Sequence, residues 1–241
     1  MNFLITGGCG YIGSRVTRHL LKLRHKVLVY DSYWFGNSLK KHKNLKVIKG
    51  DIRDFDKLNI KNIDIIIHLA NVANDPTVEL NPILSWEINV LAAKIMADHA
   101  VKNKVKKLIF FSSGSVYGLK KEKKVTEELK LNPITAYNKT KMIAERVFLS
   151  FKDKIEVICL RPATVCGYSP KMRLDLSVNM LTMQALKNKK ITVFGGNQVR
   201  PNLNINDMVS VYIHMIKTES KHIIFNAGKE NLKIIEIAKK I

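Results

Sequence analysis

The sequence predicts an α/β protein built on a doubly wound parallel sheet, and three observations support this prediction. Short runs of Val, Ile and Leu recur along the chain, and near-continuous apolar runs are typical of strands buried on both faces. Stretches with helical spacing of apolar residues separate these runs, as in strand–helix–strand units. A glycine-rich turn, Thr6–Gly13, joins the first run to the first helical stretch.

The elements are predicted in chain order from this alternation. Strands are predicted over residues 2–6, 27–31, 46–50, 63–70, 107–112 and 155–160. The helices between them are predicted over residues 11–24, 86–102 and 136–151. Residues 161–170 are interpreted as an irregular loop at the site. After that loop we expect helices near 174–187, 206–216 and 234–241, with short strands at 191–194 and 222–225.

Length and composition limit the class of protein. The chain has 241 residues, of which 46% are hydrophobic, enough for a sizeable core. No run of about 18 uncharged apolar residues exists, so no membrane-spanning helix and no membrane partner are expected. Three cysteines, Cys9, Cys159 and Cys166, are odd in number and lack metal-ligand spacing. They predict a reducing cytoplasm, no disulfide framework and no metal site.

The strongly basic balance raises the possibility of nucleic-acid binding. Lys and Arg number 41 against 20 Asp and Glu, giving a formal net charge of +21. Only eight of these cations are arginines, and the lysines are scattered with short clusters at 102–107, 120–124 and 187–190. Base-reading interfaces favour arginine, and nonspecific ones favour a basic stripe with interleaved aromatics. A solvated lysine-rich surface that attracts anionic ligands is therefore favoured over a nucleic-acid site.

The glycine-rich turn indicates a dinucleotide-binding (Rossmann) fold. Gly7 permits the tight turn, Gly10 lets the backbone approach a pyrophosphate, and Gly13 allows close packing of helix on strand. The helix N-terminus that follows favours anions. Asp31 ends the second strand, where a carboxylate accepts hydrogen bonds from the adenosine ribose and repels a 2′-phosphate. NAD is therefore favoured over NADP. Asp51 and Ile52 follow the third strand, where they could hold the adenine.

A second pattern indicates proton-transfer chemistry. Tyr137 and Lys141 are four residues apart, on one face of a predicted helix. A tyrosine near an ammonium has its phenolate stabilised and can act as a base near neutral pH. The run Ser112–Gly118 ends the fifth strand, at the edge where doubly wound sheets bind ligands. Together, the two motifs indicate a catalytic site more specifically than either does alone.

With these motifs in place, the sequence resembles the extended short-chain dehydrogenase/reductase family, and within it the NAD-dependent nucleotide-sugar epimerases and dehydratases. The resemblance is closest to the UDP-glucose 4-epimerase type. It runs in order over nearly the whole chain, through Thr6–Gly13, Asp31, Asp51-Ile52, His68–Ala70, Asn89-Val90, Ser112–Gly118, Tyr137–Lys141, Arg161-Pro162 and Arg200–Asp207.

The resemblance implies roles for individual residues. Tyr137 is expected to be the general base and acid, Lys141 its electrostatic partner and nicotinamide-ribose ligand, and Ser113 a hydrogen-bond donor to the reacting sugar oxygen. The residues expected at the cofactor are Gly7, Gly10, Tyr11, Ile12, Gly13, Asp31, Asp51, Ile52, Leu69, Ala70, Asn89, Ser112, Tyr137, Lys141 and Pro162. Those expected at a nucleotide-diphosphate sugar are Ser113, Thr164, Arg173, Asn179 and Arg200.

Departures from the family pattern narrow the range of reactions that we expect. In the 4,6-dehydratases and UDP-glucuronate decarboxylases an acidic residue usually follows the catalytic Ser/Thr, and here Gly114 and Ser115 occupy those places. The sequence therefore favours 4-epimerisation through a 4-keto intermediate. A 4-dehydrogenase or 4-ketoreductase and a 4,6-dehydratase stay open, as does a non-catalytic NAD-sensing regulator, although such regulators tend to lose the Tyr/Lys pair.

Domain organisation and assembly are also expected from the resemblance. Residues 1–165 are predicted to form the NAD-binding domain, and residues 166–241 a partial substrate lobe interleaved with the last sheet strands. Because family members usually run further, the C-terminal substrate lobe is expected to be small and truncated. The resemblance also implies a homodimer joined through the helices around 86–102 and 137–151.

Overall fold

A computed structural model describes residues 1–122, 124–219 and 223–241, and its main feature is a seven-stranded sheet. All neighbouring strands of this sheet run parallel, in the order β3-β2-β1-β4-β5-β6-β9. Its strands are β1 (Asn2–Thr6), β2 (Lys26–Asp31), β3 (Leu45–Lys49), β4 (Ile65–His68), β5 (Lys107–Phe111), β6 (Glu156–Pro162) and β9 (Ile224–Ala227). A second sheet, of order β10-β8-β7, comprises β7 (Thr164–Cys166), β8 (Val199–Asn204) and β10 (Glu230–Lys233).

Helices cover both faces of the large sheet. They are α1 (Tyr11–Lys22), α2 (Asp75–Leu80), α3 (Pro82–Trp86), α4 (Ala92–Lys102), α5 (Ala136–Leu149), α6 (Ser177–Asn188), α7 (Ile205–Lys217) and α8 (Ile234–Lys240). One apolar core includes Met96 of α4 and Phe148 of α5, and the other includes Leu20 of α1 and Tyr212 of α7. The strands are thus buried on both faces, and the predicted doubly wound parallel sheet is confirmed.

The strand order fixes where a ligand can bind. From β1 the chain builds outward to β2 and β3, then returns to place β4 on the other side of β1. This reversal is a topological switch point, and a crevice opens there beyond the carboxyl ends of β1 and β4.

Three local predictions were wrong, and a fourth is met in part. Residues 191–194 form no strand, and β8 lies further along the chain. The segment 161–170 is not wholly irregular, because β6 extends through Pro162 and β7 follows at once. The helix expected from Trp86 is interrupted by a π-helical turn, Glu87–Leu91, before α4 begins. The strand expected at 222–225 is β9, and His222 lies outside the described residues.

A buried ion pair ties α5 to the sheet. Arg161 of β6 donates to both carboxylate oxygens of Glu145 in α5, at 2.8 and 2.9 Å, and both side chains are buried. Arg161 also donates to the Tyr117 hydroxyl at 2.8 Å and to the Glu127 carbonyl at 3.2 Å. Tyr117 in turn donates to Asn226 of β9 at 2.8 Å. The Arg161 guanidinium, directly and through Tyr117, thus connects β6 with β9, with α5 and with the turn after β5.

Replacing Arg161 with methionine is expected to lower the free energy of unfolding by about 3–5 kcal/mol, because the Glu145 carboxylate stays buried without its cation. The double variant Arg161→Met/Glu145→Leu should recover most of that loss, since neither charge remains. Arg146→Met, at an exposed arginine of the same helix, is the control and should change stability by less than about 0.5 kcal/mol. Urea unfolding measures all three, and a double variant as unstable as Arg161→Met would contradict this account.

Candidate active site

A cleft of about 430 Å³ occupies the crevice at the switch point. Loops after β1, β2, β3 and β4 line it together with α5 and the segment before α6. The structure brings together in its lining the predicted residues Gly7, Gly10, Tyr11, Ile12, Gly13, Asp31, Asp51, Ile52, Leu69, Ala70, Tyr137, Lys141 and Arg173. The cleft is therefore formed by segments that are far apart in the sequence.

The turn after β1 is closed so tightly that two of its positions have no room for a side chain. Gly7 has φ +69°, and a Cβ there would lie 2.7 Å from the Ala70 nitrogen. A Cβ on Gly13 would lie 2.2 Å from the Gly7 carbonyl oxygen. The N-terminus of α1 then opens at Gly10 without a side-chain cap and without an acidic residue in its first turn. Its free N–H groups fit a pyrophosphate.

Carboxylates after β2 and β3 mark one end of the cleft. Asp31 accepts hydrogen bonds from the backbone N–H groups of Cys9 at 2.9 Å and Tyr33 at 2.8 Å, which fixes its carboxylate beside the glycine turn. Asp51 accepts from the backbone and side chain of Arg53, and these hydrogen bonds hold the pKa of Asp51 below its usual value. Asp51 is thus paired before any ligand arrives, whereas Asp31 bonds only backbone N–H groups among the contacts described.

Tyr137 lies in the first turn of α5, which the Thr135 side chain caps by accepting from Asn138 N. Burial raises the pKa of the Tyr137 phenol to about 12, while the Arg173 charge and a hydrogen bond with Ser113 lower it. The Asp75 carboxylate acts in the opposite direction and raises this pKa. The pKa of Tyr137 therefore depends on three groups that come from different elements of the fold.

Lys141 is buried one turn further along α5. Its ammonium donates to the Phe111 carbonyl and lies 4.7 Å from the Phe110 ring centroid. Burial lowers the pKa of Lys141 to about 7, and the Glu145 charge opposes this shift. We expected Lys141 to stabilise the Tyr137 phenolate, but the cation that lowers the Tyr137 pKa in the structure is Arg173. The difference arises because the lysine ammonium is directed to the end of β5.

The serines after β5 form a short turn. Ser113 caps the 3-10 turn Gly114–Tyr117 by accepting from Ser115 N at 3.1 Å, and its hydroxyl lies 2.7 Å from the Ser115 hydroxyl. Ser112 is buried, and its hydroxyl has no hydrogen-bond partner among the described residues. Neither serine belongs to the cleft lining, although Ser113 lies near enough to Tyr137 to lower the pKa of its phenol.

Five further predicted residues also lie outside the lining: Asn89, Pro162, Thr164, Asn179 and Arg200. Asn89 is buried and bonds the Val72 backbone and the Thr140 hydroxyl, so its amide holds the loop after β4 to α5. Asn179 accepts from Gly167 N and donates to the Arg173 carbonyl. Both side chains position the walls of the cleft. Pro162 ends β6, Thr164 begins β7, and Arg200 is exposed on β8.

Sequence reasoning missed several lining residues. Trp34 and Phe35 follow Asp31, and Lys171 and Asp175 flank Arg173. Residues 71–74 follow β4, and Thr77 lies in α2. The sequence signal for this wall of the cleft is the pair of large aromatic residues, Trp34 and Phe35, shortly after the strand that ends at Asp31. Among the described residues no group of three or more His, Cys, Asp or Glu could hold a metal ion. Within the same ranges, every helix is too short or too polar to cross a membrane.

Known proteins share this architecture. Residues 3–228 match the family model described as NAD dependent epimerase/dehydratase family. The chain is 32% identical over 271 residues to a UDP-glucose 4-epimerase of Lactobacillus helveticus, covering 100% of this chain and 82% of that protein. It is 29% identical over 265 residues to a dTDP-D-glucose 4,6-dehydratase of Dictyostelium discoideum, covering 99% of this chain and 61% of that protein.

A solved structure gives the same relationship in three dimensions. UDP-glucuronic acid 4-epimerase from Bacillus cereus, in complex with UDP-glucuronic acid and NAD, matches with a TM-score of 0.86 and 29% identity. The match covers 98% of this chain and 80% of that one. The similarity thus extends over nearly all of the chain, the cleft included.

Proposed function

The chain belongs to the NAD dependent epimerase/dehydratase family, and from this premise we propose that it interconverts two nucleotide-diphosphate sugars that differ at C4. In this proposal the sugar is oxidised at C4 to a 4-keto intermediate and reduced again on its other face, with NAD as the hydride carrier. Relatives named as 4-epimerases support this choice, among them the Lactobacillus helveticus enzyme. The nucleotide and the sugar are left open.

The observation that carries the proposal is the turn after Ser113. Dehydratases of the family usually place an acidic residue there, and this chain has Gly114 and Ser115. A Cβ on Gly114 would already lie 3.1 Å from the Pro162 carbonyl oxygen, so a longer side chain is disfavoured at this position. The Ser115 hydroxyl is engaged with Ser113. With no carboxylate in the turn, elimination of water from the sugar lacks its usual acid.

A 4,6-dehydratase is the second candidate, because a carboxylate of another element acts on Tyr137. Asp75 of α2 raises the pKa of Tyr137, although Asp75 itself does not line the cleft. A 4-dehydrogenase or 4-ketoreductase would use the same Tyr137 chemistry, but would have to exchange its cofactor. An NAD-sensing regulator is disfavoured, because Tyr137 and Lys141 are both present and line the cleft.

The cleft fits NAD. The uncapped N-terminus of α1 offers N–H groups to the pyrophosphate, and Asp31 offers acceptor oxygens to the adenosine ribose. A 2′-phosphate would meet the Asp31 charge, which favours NAD over NADP. Asp51, Ile52, Leu69 and Ala70 would complete the walls. NAD supplies the hydride acceptor and donor at C4.

Tyr137 carries the proton in this proposal. Its phenolate would accept the proton of the sugar 4-hydroxyl and return it in the second half of the reaction. Ser113, hydrogen-bonded to Tyr137, would hold the same sugar oxygen. Lys141 would bind the nicotinamide ribose from its position at the end of β5.

The sugar diphosphate would be bound by cations of the C-terminal part. Arg173 lines the cleft and is the leading candidate, with Asn179 positioning its backbone. Thr164 of β7 pairs with Asn202 of β8, and Arg200 lies two positions before Asn202 on the same strand. Thr164 and Arg200 both lie outside the cleft lining and would extend the proposed substrate surface onto the second sheet. We also propose that the protein is a homodimer joined through α4 and α5, and that it is located in the cytoplasm. Analytical ultracentrifugation tests whether it is a dimer.

The test begins with the purified protein and no added NAD. It is incubated with UDP-, GDP- and dTDP-sugars, and the products are separated by chromatography. We expect one nucleotide series to give the C4 epimer, because the cofactor is regenerated in each turnover. Tyr137→Phe should lower the rate by at least about 100-fold, the scale of a lost general base.

Tyr212→Phe is the matched control for this test. Tyr212 of α7 is fully buried in the core, away from the cleft lining, and its hydroxyl has no hydrogen-bond partner within the described ranges. Its substitution should leave the rate unchanged. Full activity in Tyr137→Phe would disprove the proposed mechanism.

The pH dependence of epimerisation should follow the charges around Tyr137. Tyr137 acts as its phenolate, so the rate rises with pH as the phenol ionises. Arg173→Gln removes the cation that lowers the Tyr137 pKa. It should shift the rising limb of the pH–rate profile to higher pH, by about one pH unit. Asp75→Asn removes an anion that raises the pKa and should move the limb downward.

Lys139→Gln, at an exposed cation of α5, is the control for these pH profiles and should leave the limb in place. The profile of kcat is the deciding measurement, because Arg173 is also proposed to bind substrate and its loss would change KM. Profiles of Arg173→Gln and Asp75→Asn that shift in the same direction would contradict the assignment.

A further inference from the structure

One segment crosses the mouth of the cleft. Residues 171–175, between β7 and α6, line the cleft together with loops from its two sides. One side is the loop after β2, with Trp34 and Phe35, and the other is the loop after β4, with Asn74. The segment therefore lies across the crevice between β1 and β4 and contacts both of its rims.

At the first rim, the Lys171 ammonium lies 5.5 Å from the centroid of the Phe35 ring. Phe35 is 68% exposed and Trp34 is 52% exposed, so these aromatics stand at the rim rather than in the core. A cation over an aromatic face at this distance is attracted by the ring quadrupole. The contact joins the crossing segment to the first rim, between residues 136 positions apart in sequence.

At the second rim, the Asn74 side chain donates to the Asp175 carboxylate at 2.9 Å. Asn74 has φ +71°, a left-handed conformation that costs energy for a residue other than glycine. Its side chain also caps α2 by accepting from Thr77 N. The same carboxylate pairs with Arg173, so the Asp175 contact fixes both the rim and the proposed substrate-binding arginine.

The base of the segment is anchored independently of the two rims. Ser169 donates to the Tyr11 carbonyl at 2.7 Å, and Tyr11 donates to the Gly167 carbonyl at 2.7 Å. Asn179 of α6 donates to the Arg173 carbonyl at 3.0 Å. The segment is thus fixed to α1 and α6, and its side chains Lys171 and Asp175 reach the two rims.

We infer that residues 171–175 form a latch that retains the bound dinucleotide between turnovers, with Lys171 on Phe35 and Asp175 on Asn74 as its two contacts. Because residues 171–175, Phe35 and Asn74 all line the cleft, a dinucleotide bound along the crevice would lie beneath both contacts, and its release would require that they open. The inference rests on the proposed function: 4-epimerisation regenerates its NAD in every cycle, and retention is compatible with turnover. A dehydrogenase would have to release the cofactor after each turnover.

The test measures release of NAD itself. Protein loaded with NAD is mixed with an excess of isotopically labelled NAD, and the ratio of the two bound forms is followed by mass spectrometry. Lys171→Ala and Phe35→Ala should each speed release by about 2- to 5-fold, the range expected for one partly exposed cation–π contact. Lys171→Arg keeps the contact and should release NAD at nearly the wild-type rate.

A double-mutant cycle separates the latch from a direct contact with NAD. If Lys171 and Phe35 act through each other, the double variant releases NAD no faster than either single variant. Lys154→Ala is the matched control, because Lys154 lies 5.8 Å from the Phe151 ring at the opposite edge of the sheet. Its release rate should equal that of wild type. Unfolding midpoints confirm that all variants are folded.

The outcomes distinguish the two proposals. Release rates unchanged in Lys171→Ala and Phe35→Ala, with epimerisation intact, overturn the latch alone. Effects that add in the double variant also overturn it, since the two side chains then act separately. A wild-type protein that binds no NAD overturns both the latch and the proposed function.

Discussion

The buried pair of Arg161 and Glu145 is the interaction on which the site depends most. It fixes α5, which carries Tyr137 and Lys141, against β6 of the central sheet. Through Tyr117 the same guanidinium holds the turn that begins at Ser113. Two charges taken out of water stabilise a fold only when every hydrogen bond is made, and here the arginine reaches three partners. The residues proposed to transfer protons, which come from separate elements, are thereby brought to one place.

The Arg161–Glu145 pair also affects the chemistry it positions. Glu145 lies one helical turn beyond Lys141, and its charge raises the pKa of the lysine against the effect of burial. The ammonium is directed to the Phe111 carbonyl at the end of β5. The cation that lowers the pKa of Tyr137 is Arg173, from the segment across the cleft, so this pKa depends on how that segment is held.

The elements that local patterns determine were predicted to within a few residues. The strand at Asn2–Thr6 is predicted by its apolar run, and the helix from Ala136 by the helical spacing of its apolar residues. The glycine-rich turn is predicted because a side chain would not fit at its tightest positions. The second sheet was missed because β8, Val-Arg-Pro-Asn-Leu-Asn, is polar and half exposed, and its pairing partner β10 is distant in sequence. Contacts such as that between Asn74 and Asp175, 101 residues apart, leave no local pattern.

The central claim is that the chemistry stays at C4, and turnover in deuterium oxide tests it most directly. Epimerisation breaks and remakes only the C4 carbon–hydrogen bond, with the hydride held on NAD, so solvent deuterium does not enter the carbon skeleton. The account predicts a product equal in mass to its substrate, with no carbon-bound deuterium. A product lighter by one water and labelled by solvent at carbon would contradict it and establish a dehydratase.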